Sequence, residues 1–276
     1  MIGVIGTRFI GRFVVEELVR AGEDVTVLAR DPELTRTRVG KSVGLVPCDR
    51  ESIPEALPSL TCVISTVPVQ MANLVVDLAS RAGVDRVIFL SSTWRHSVTK
   101  TDGVRRVVEG EEAILSSGLN WTVIRPSMVY GPGDRNISRL RDRITSRRVL
   151  PVIGSGSRLV QPVYVEDVAY AVSAAVARRS AECEDFDVCG PEPMTYTDMI
   201  DQVAQTVSRS PIKVYVPLSV ARLLAWGLER FTTNPMITVD RVARMGVDRE
   251  FPIDKAREAL GFIPRTFSEG LRAYYN

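Results

Sequence analysis

The first thirty residues alternate between apolar runs and a helical repeat, a pattern that few folds accommodate. Met1 to Ile5 is apolar apart from Gly3, and the segment "FIGRFVVEELVRAG" repeats apolar side chains at helical spacing. Gly22 ends this segment as a C-cap glycine does. The run "DVTVLAR" that follows is typical of a strand. The segment therefore predicts a β-α-β unit, from which parallel sheets are built.

The same alternation continues through the N-terminal half of the chain. Near-continuous Val, Ile and Leu runs are typical of parallel strands that are buried on both faces. The pattern predicts strands at 43–49, 61–67, 85–92 and 120–126 and helices at 70–83 and 104–118. The fold class is therefore α/β, with a doubly wound parallel sheet of the Rossmann type.

Beyond residue 130 the alternation becomes less regular. We expect a dinucleotide-binding domain over 1–130, interleaved with a small mixed C-terminal cap over 131–276 that packs at the carboxyl edge of the sheet. The pattern there predicts strands at 186–190 and 212–217 and helices at 136–148, 195–207 and 219–231.

Composition excludes several classes of function. A formal net charge of +2 over 276 residues gives no global attraction to nucleic acid or an anionic membrane. The sequence has no apolar run of transmembrane length and no signal-peptide pattern, so we expect a cytoplasmic protein without a membrane span. The four cysteines form no Cys-x-x-Cys pair and His96 is the single histidine, so we expect reduced thiols and no metal site.

The glycine-rich stretch "GVIGTRFIGR" joins the first strand to the first helix. A Rossmann turn needs glycine where the chain bends and where helix meets strand, so that a pyrophosphate lies on the helix N-terminus. With Gly11 as the helix-packing glycine, the predicted turn comprises Gly6, Thr7, Arg8, Phe9, Ile10 and Gly11. The alternative is a turn that only connects strand to helix.

Several motifs occur along the chain in the same order as in a known superfamily. The series "GTRFIGR", "VTVLARDP", "VISTV", "VIFLSST", "EEAILSSGLNWTVIRPSMVYGPGDR" and "VQPVYVEDVA" resembles the extended and atypical short-chain dehydrogenase/reductase superfamily, in its epimerase/dehydratase-like and NmrA-like branches. The resemblance runs from residue 2 to the closing "LGFIPRTFSEGL". Two residues depart from it, since Ile5 and Arg8 stand where the first and middle glycines are expected.

The resemblance implies a set of residues around the dinucleotide. Asp49 is expected near the adenine amino group, and Ser65, Thr66 and Val67 along the pyrophosphate and nearby ribose. Leu90, Ser91 and Ser92 are expected under the nicotinamide ribose, and Pro126 and Ser127 beside the nicotinamide ring.

Two arginines indicate which dinucleotide is bound. An acidic residue at the end of the second strand would accept the ribose 2′-hydroxyl of NAD, but this chain has "VLARDP" there. Arg30 and Arg8 offer paired N–H donors that suit a 2′-phosphate. We therefore predict NADP(H) in preference to NAD(H). The alternatives are that Arg30 is a solvated arginine and that Asp31 serves the hydroxyl.

The usual catalytic pair of the superfamily is missing from the sequence. Its chemistry uses a Ser or Thr, which Ser92 matches, and a Tyr-x-x-x-Lys pair whose phenol exchanges a proton with substrate. The resemblance places that pair at Gly103 and Val107, or one residue later, and residues 101–118 contain neither tyrosine nor lysine. The nearby substitutes are His96, Lys100 and Tyr130.

This absence favours binding without the usual chemistry. Superfamily members that lack the pair include redox-sensing co-regulators and the accessory subunit of respiratory complex I, which hold NADP(H) without turning it over. Our leading hypothesis is a dinucleotide sensor or structural binder. The alternative is an NAD(P)-dependent oxidoreductase or nucleotide-sugar epimerase/dehydratase with another proton donor.

Two helices in the second half carry features that suit a partner. Residues 134–148 hold six arginines and two aspartates, and Arg135, Arg139 and Arg143 share one face. That face is either solvated or receives a phosphate or acidic partner. Nucleic acid is disfavoured, because charge is the only sign of it. In the helix at 219–231 an apolar stripe predicts core packing or a protein interface; it comprises Val220, Leu223, Leu224, Leu228 and Phe231.

Overall fold

A computed structural model describes residues 1–40, 43–48, 60–232 and 238–275. The first half alternates strands and helices: β1 (Ile2–Ile5), α1 (Phe9–Arg20), β2 (Val25–Ala29), α2 (Pro32–Val39), β3 (Gly44–Pro47), β4 (Cys62–Ser65), α3 (Ala72–Arg81), β5 (Arg86–Leu90), α4 (Asp102–Leu115) and β6 (Asn120–Pro126).

Shorter strands and further helices follow: β7 (Val129–Tyr130), α5 (Ile137–Ser146), β8 (Val149–Ile153), β9 (Leu159–Val160), β10 (Val163–Tyr164), α6 (Val165–Ala177), β11 (Glu184–Val188), β12 (Met194–Thr195), α7 (Tyr196–Gln205), β13 (Ile212–Val216), α8 (Leu218–Phe231), α9 (Val239–Met245), α10 (Asp254–Leu260) and α11 (Phe267–Tyr275). No helix in the described ranges is both long and apolar enough to cross a membrane.

Seven parallel strands form the central sheet, in the order β11-β6-β5-β4-β1-β2-β3. β2 and β4 are buried at every residue because helices cover both faces. On one face α1 and α6 pack through Val14, Leu18 and Val172, and on the other α3 and α4 pack through Leu78 and Ile114. The predicted doubly wound α/β fold is confirmed.

The strand order reverses between β1 and β4, since the chain builds β2 and β3 to one side of β1 and β4 onward to the other. The carboxyl ends of strands on the two sides of such a point leave a crevice in which open α/β sheets bind ligands. The sheet therefore places the glycine turn after β1 at the expected ligand position.

The second half of the chain contributes both a separate core and the last strand of the sheet. Tyr130, Ile144, Val152, Ile200 and Phe267 pack together away from the sheet. Between these elements the chain returns to the sheet, where β11 pairs with β6. A division of the chain at residue 130 stays a prediction.

Helix α2 was not predicted from the sequence. Its segment "PELTRTRV" has no continuous apolar stripe, and only Thr35 and Val39 are buried. The residues at its N-terminus indicate the helix instead. Asp31 is the N-cap residue and accepts a hydrogen bond from the Leu34 N–H at 3.0 Å, and Pro32 occupies the first helical position. The alternation of apolar residues alone could not find this helix.

The apolar stripe of α8 faces outward, so the expectation of core packing is wrong. Ala221 and Ala225 are the buried residues of α8, and they pack near Val242 of α9. Trp226 is 54% exposed and Phe231 is 86% exposed. The alternative, a protein interface on this face, stays a prediction.

A buried ion pair joins α4 to the sheet. Glu111 is fully buried, and its carboxylate accepts hydrogen bonds from Arg125 Nε at 3.0 Å and Arg125 Nη2 at 2.7 Å. The Ser91 hydroxyl donates to the same carboxylate. Arg125 also contacts Asp185, with 2.9 Å between Nη1 and Oδ1. The interaction therefore ties α4 to β5, β6 and β11.

We expect Glu111→Gln to lower the free energy of unfolding by about 3 kcal/mol, because it leaves a buried guanidinium without its main counter-charge. Urea denaturation measures the change. Asp77→Asn is the control, since it breaks the exposed pair of Asp77 with Arg81 and should cost less than about 1 kcal/mol. Equal small losses in the two variants would contradict a structural role for the buried pair.

Candidate functional site

The turn after β1 has room only for glycine at two positions. Gly6 has a φ of +89°, and a Cβ on Gly11 would lie 2.0 Å from the Gly6 carbonyl oxygen. Thr66 fixes the turn from the next strand, since its hydroxyl donates to the Gly6 oxygen at 2.6 Å and its N–H donates to Ile5 at 2.9 Å. The backbone at the start of α1 therefore packs directly against the backbone of the turn that follows β1.

Helix α1 points its N-terminus at the crevice between β1 and β4. Arg8 is the N-cap residue and makes no side-chain capping hydrogen bond. The N–H groups of the first turn, at Phe9, Ile10 and Gly11, have no partner within the helix, and the helix dipole favours negative charge near them. A pyrophosphate suits this position, and the narrow glycine turn allows it to approach the backbone.

The two predicted arginines border the same edge of the sheet. Arg8 is exposed at the start of α1, and Arg30 is exposed directly after β2. Neither side chain forms an ion pair with another part of the described chain. Asp31 differs, because one of its carboxylate oxygens already caps α2. The two guanidinium groups are therefore available to an added anion, whereas Asp31, the alternative partner of a ribose hydroxyl, already has one oxygen engaged.

The predicted residues after β4 meet the glycine turn. Ser65 is the buried last residue of β4, and Thr66 holds the turn as described. Val67 approaches from the same side, with its Cγ1 2.9 Å from where a Cβ on Gly6 would lie. Thr7 is also buried. The structure thus brings the predicted pyrophosphate residues together, while Asp49 lies outside the described residues.

The residues predicted near the nicotinamide lie at the ends of β5 and β6. Leu90 ends β5, and the N–H of Ser91 donates to Ile124 of β6 at 2.8 Å. The Ser92 hydroxyl accepts a hydrogen bond from the Trp94 N–H at 3.3 Å. Pro126 ends β6, and the Ser127 hydroxyl donates to the Gln161 carbonyl. Ser91, Ser92 and Ser127 therefore already hold hydrogen bonds within the chain.

Helix α4 presents no proton-donating side chain at the positions of the usual pair. A Cβ on Gly103 would lie 3.3 Å from the ring of Trp94, and Val107 is buried in the core. All residues of α4 are described, and none is a tyrosine or a lysine. Hydrophobic packing therefore occupies this part of the helix.

Tyr130 does not replace the missing tyrosine. Its ring is fully buried in the second core, and its hydroxyl donates to the Phe267 carbonyl at 3.2 Å. Burial, with a contribution from Asp167, raises the pKa of Tyr130 well above its ordinary value. This phenol therefore serves packing. Lys100 is exposed just before α4.

A cavity of about 440 Å³ lies at the carboxyl edge of the sheet, between the turn after β5 and the segment before α10. His96 and Asp187 meet on its wall, with 2.9 Å between Nε2 and Oδ1. Thr93 lines the cavity, and Ser92 does not. Residues 247–252 form one wall of the cavity, and no sequence motif predicts their role. The sequence does single out His96, because it lies four residues after Ser92.

Residues 6–149, just over half of the chain, match the model of a family described as NAD(P)H-binding. The chain belongs to this NAD(P)H-binding family. Membership agrees with the glycine turn and the helix N-terminus, and it supports an NAD(P)-type dinucleotide as ligand. It also confirms the resemblance to the extended and atypical short-chain dehydrogenase/reductase superfamily.

Similar proteins include both a subunit of a larger complex and enzymes. The chain is 25% identical over 243 residues to the mitochondrial NADH dehydrogenase (ubiquinone) 1 alpha subcomplex subunit 9 of Arabidopsis thaliana, covering 79% of this chain and 60% of that protein. It is 27% identical to the 3beta-hydroxysteroid-dehydrogenase/decarboxylase isoform 2 of the same plant, covering 75% and 44%. The chain thus spans less than two thirds of each of these relatives.

Solved structures of similar fold include sugar-nucleotide epimerases. The UDP-glucose 4-epimerase of Thermotoga maritima, with UDP-glucose, superposes with a TM-score of 0.74 at 18% identity, over 99% of this chain and 97% of that one. The UDP-glucuronic acid 4-epimerase of Bacillus cereus, in complex with NAD, gives 0.76 at 16% identity, over 99% and 95%. These likenesses establish the shared fold.

We expect Gly11→Ala to destabilise the turn and to weaken dinucleotide binding, because the added methyl would overlap the Gly6 carbonyl. Overpacking of this kind costs about 1–3 kcal/mol. Thermal unfolding and calorimetric titration with NADPH measure the two effects. Gly227→Ala is the control: a Cβ there meets nothing within 4 Å, and alanine should stabilise α8 by about 0.5–1 kcal/mol. A Gly11→Ala protein with unchanged stability and affinity would refute the packing argument.

Proposed function

We propose that this protein binds NADP(H) at the turn after β1 and uses it as a sensor or structural ligand, without Tyr-x-x-x-Lys chemistry. One observation carries the proposal. The glycine turn directs the N-terminus of α1 at the crevice, because its glycines let the strand and the helix pack together. Helix α4 has glycine and valines at the positions where the superfamily has its proton-transfer pair.

The preference for NADP(H) rests on charge at the adenosine end of the crevice. Arg30 follows β2, where an NAD-binding chain of this type has an acidic residue. Arg8 stands on the turn itself, and neither guanidinium forms an ion pair with another part of the described chain. Guanidinium groups bind phosphate oxygens through paired N–H donors, which supports a 2′-phosphate as their ligand.

We expect the double variant Arg8→Ala/Arg30→Ala to bind NADPH at least about tenfold more weakly, because charge-assisted hydrogen bonds to the 2′-phosphate are lost. NADH, which lacks that phosphate, should be affected much less. Calorimetric titration of both cofactors measures the difference. Arg20→Ala/Arg81→Ala removes the same charge from exposed helix ends and should alter neither affinity. Equal losses for NADPH and NADH in the Arg8/Arg30 variant would contradict a phosphate clamp.

The experiment that tests the proposed function separates binding from turnover. The protein is titrated with NADPH, NADP, NADH and NAD by calorimetry, and the nicotinamide absorbance is then followed during long incubation with carbonyl compounds and nucleotide sugars. Binding of NADP(H) with constant absorbance is the expected result. Sustained oxidation of NADPH that depends on an added compound would overturn the non-catalytic role and leave dinucleotide binding in place.

The second candidate is an NAD(P)-dependent oxidoreductase or a nucleotide-sugar epimerase/dehydratase with another proton donor. The pair of His96 and Asp187 favours it, because an imidazole beside a carboxylate is a common proton-transfer unit and it lies on a cavity at the ligand edge. In that case Ser92 would assist, as in the superfamily. The turnover experiment distinguishes the two candidates.

A protein partner is also part of the proposal. One relative is named as a subunit of NADH dehydrogenase, and the outward apolar face of α8 offers a surface of the kind that protein interfaces cover. The exposed Arg135, Arg139 and Arg143 offer a second surface for an acidic partner. A cytoplasmic location stays a prediction, and the names of several relatives include the word mitochondrial.

A further inference from the structure

The exposed surface of the cavity beside His96 is mostly apolar, although seven of the twelve lining residues are polar or charged. Trp94 and Val98 lie on the turn after β5, and Val247, Phe251 and Pro252 lie on the segment before α10. A volume of about 440 Å³ is within the size range of small-molecule sites. Apolar walls of this kind favour a ligand with an aromatic or aliphatic body, because its burial removes apolar surface from water.

Among the polar groups of these walls, His96 combines a fixed orientation with hydrogen-bonding capacity to spare. His96 Nε2 is 2.9 Å from Asp187 Oδ1, and the imidazole also packs at 5.7 Å from the ring of Phe251. The His96 side chain is 38% exposed, against 16% for Asp187. Within the described chain, Nδ1 of His96 has no hydrogen-bond partner. One nitrogen of the ring is therefore held by Asp187, and the other has no partner within the described chain.

The charges around the cavity disfavour an anionic ligand. Asp187, Asp248 and Glu250 line it against a single guanidinium, that of Arg249. Asp248 is held by the Leu159 N–H at 2.9 Å and by Arg158. With Arg158 included, three carboxylates face two guanidinium groups, so a diphosphate would still meet an excess of negative charge, which costs free energy. An uncharged ligand meets no such cost.

The cavity lies close to the predicted nicotinamide position. Asp187 of β11 pairs in register with Arg125 of β6, and the next pair joins Val188 with Pro126. Pro126 and Ser127 are the residues predicted beside the nicotinamide ring, and the Ser127 N–H donates to Val188 at 3.2 Å. A ligand oxygen at His96 is therefore on the nicotinamide side of the sheet edge.

We propose that this cavity binds a compact, uncharged, apolar molecule with one hydroxyl or carbonyl oxygen, which hydrogen-bonds to Nδ1 of His96. The imidazole accepts from a hydroxyl when neutral and donates to a carbonyl when protonated. Asp187 positions the ring. The inference goes beyond the proposed function, since it adds a second ligand and holds whether or not a hydride is transferred. It also separates this chain from proteins of the same fold that bind UDP-sugars.

His96 provides a direct readout because it is the single histidine of the sequence. In protein without added histidines, the Cε1–H proton of this imidazole gives one assignable NMR signal. We expect 1-phenylethanol at neutral pH, and acetophenone at acidic pH where the protonated ring can donate to its carbonyl, to shift this signal in a saturable way and to bind about tenfold more tightly than ethylbenzene, which has the same body without oxygen. UDP-glucose should bind more weakly than acetophenone.

Variants test whether the oxygen of the ligand binds to the ring nitrogen of His96. His96→Phe keeps an aromatic ring beside Phe251, and ligand-detected NMR should then show that acetophenone and ethylbenzene bind equally. Asp187→Asn should retain binding with a smaller advantage for acetophenone. Arg20→Ala, which changes an exposed residue at the end of α1 outside the cavity wall, should behave as the unmodified protein does.

Three results would overturn the inference. They are equal binding of acetophenone and ethylbenzene to the unmodified protein at acidic pH, an unchanged acetophenone advantage in folded His96→Phe, and tighter binding of UDP-glucose than of acetophenone. The unmodified protein decides the first and third even if His96→Phe does not fold. Titrations with and without saturating NADPH, next to calorimetry of NADPH itself, keep the two proposals apart. Loss of NADPH binding would leave the cavity inference standing.

Discussion

The contact between Gly11 and the Gly6 carbonyl governs the arrangement of the ligand edge. A Cβ at Gly11 would lie 2.0 Å from that oxygen, so the start of α1 can meet the end of β1 only as bare backbone. This approach aims the first-turn N–H groups into the crevice where the strand order reverses. Thr66 adds a bond from the neighbouring strand and fixes the same geometry from the other side. The proposed phosphate site thus follows from strand–helix packing.

The buried pair of Glu111 and Arg125 separates the structural role of α4 from its chemical role. This pair, with Ser91 and Asp185, holds the helix against three strands. The helix therefore stays in place although its exposed end carries no tyrosine or lysine. The crevice is therefore held in place by contacts that do not depend on a tyrosine or lysine in α4. This arrangement is compatible with the proposed role, in which the dinucleotide is held without Tyr-x-x-x-Lys chemistry.

Local patterns predicted the sheet well because parallel strands buried on both faces have near-continuous apolar runs, such as "CVI" in β4 and "VIFL" in β5. They missed α2, whose signal lies in the Asp31 cap. They left core packing and a protein interface as alternatives for the stripe of α8, because a periodic stripe shows that a helix is amphipathic and does not show what covers it; core packing is the alternative that the structure contradicts. Ala221 and Ala225 permit closer packing than leucine does, and they face inward.

The candidate site also has one part that local sequence predicts and one part that only the folded chain brings together. The turn residues are consecutive in sequence, so spacing alone locates Gly6 to Gly11. The cavity joins the turn after β5 to residues 247–252 and to Asp187 of β11, which are brought together only by the return of the chain to the sheet and by the packing of the cap. A single histidine in a loop has no local partner in the sequence. Its significance depends on a carboxylate 91 residues away, and only the folded chain shows that contact.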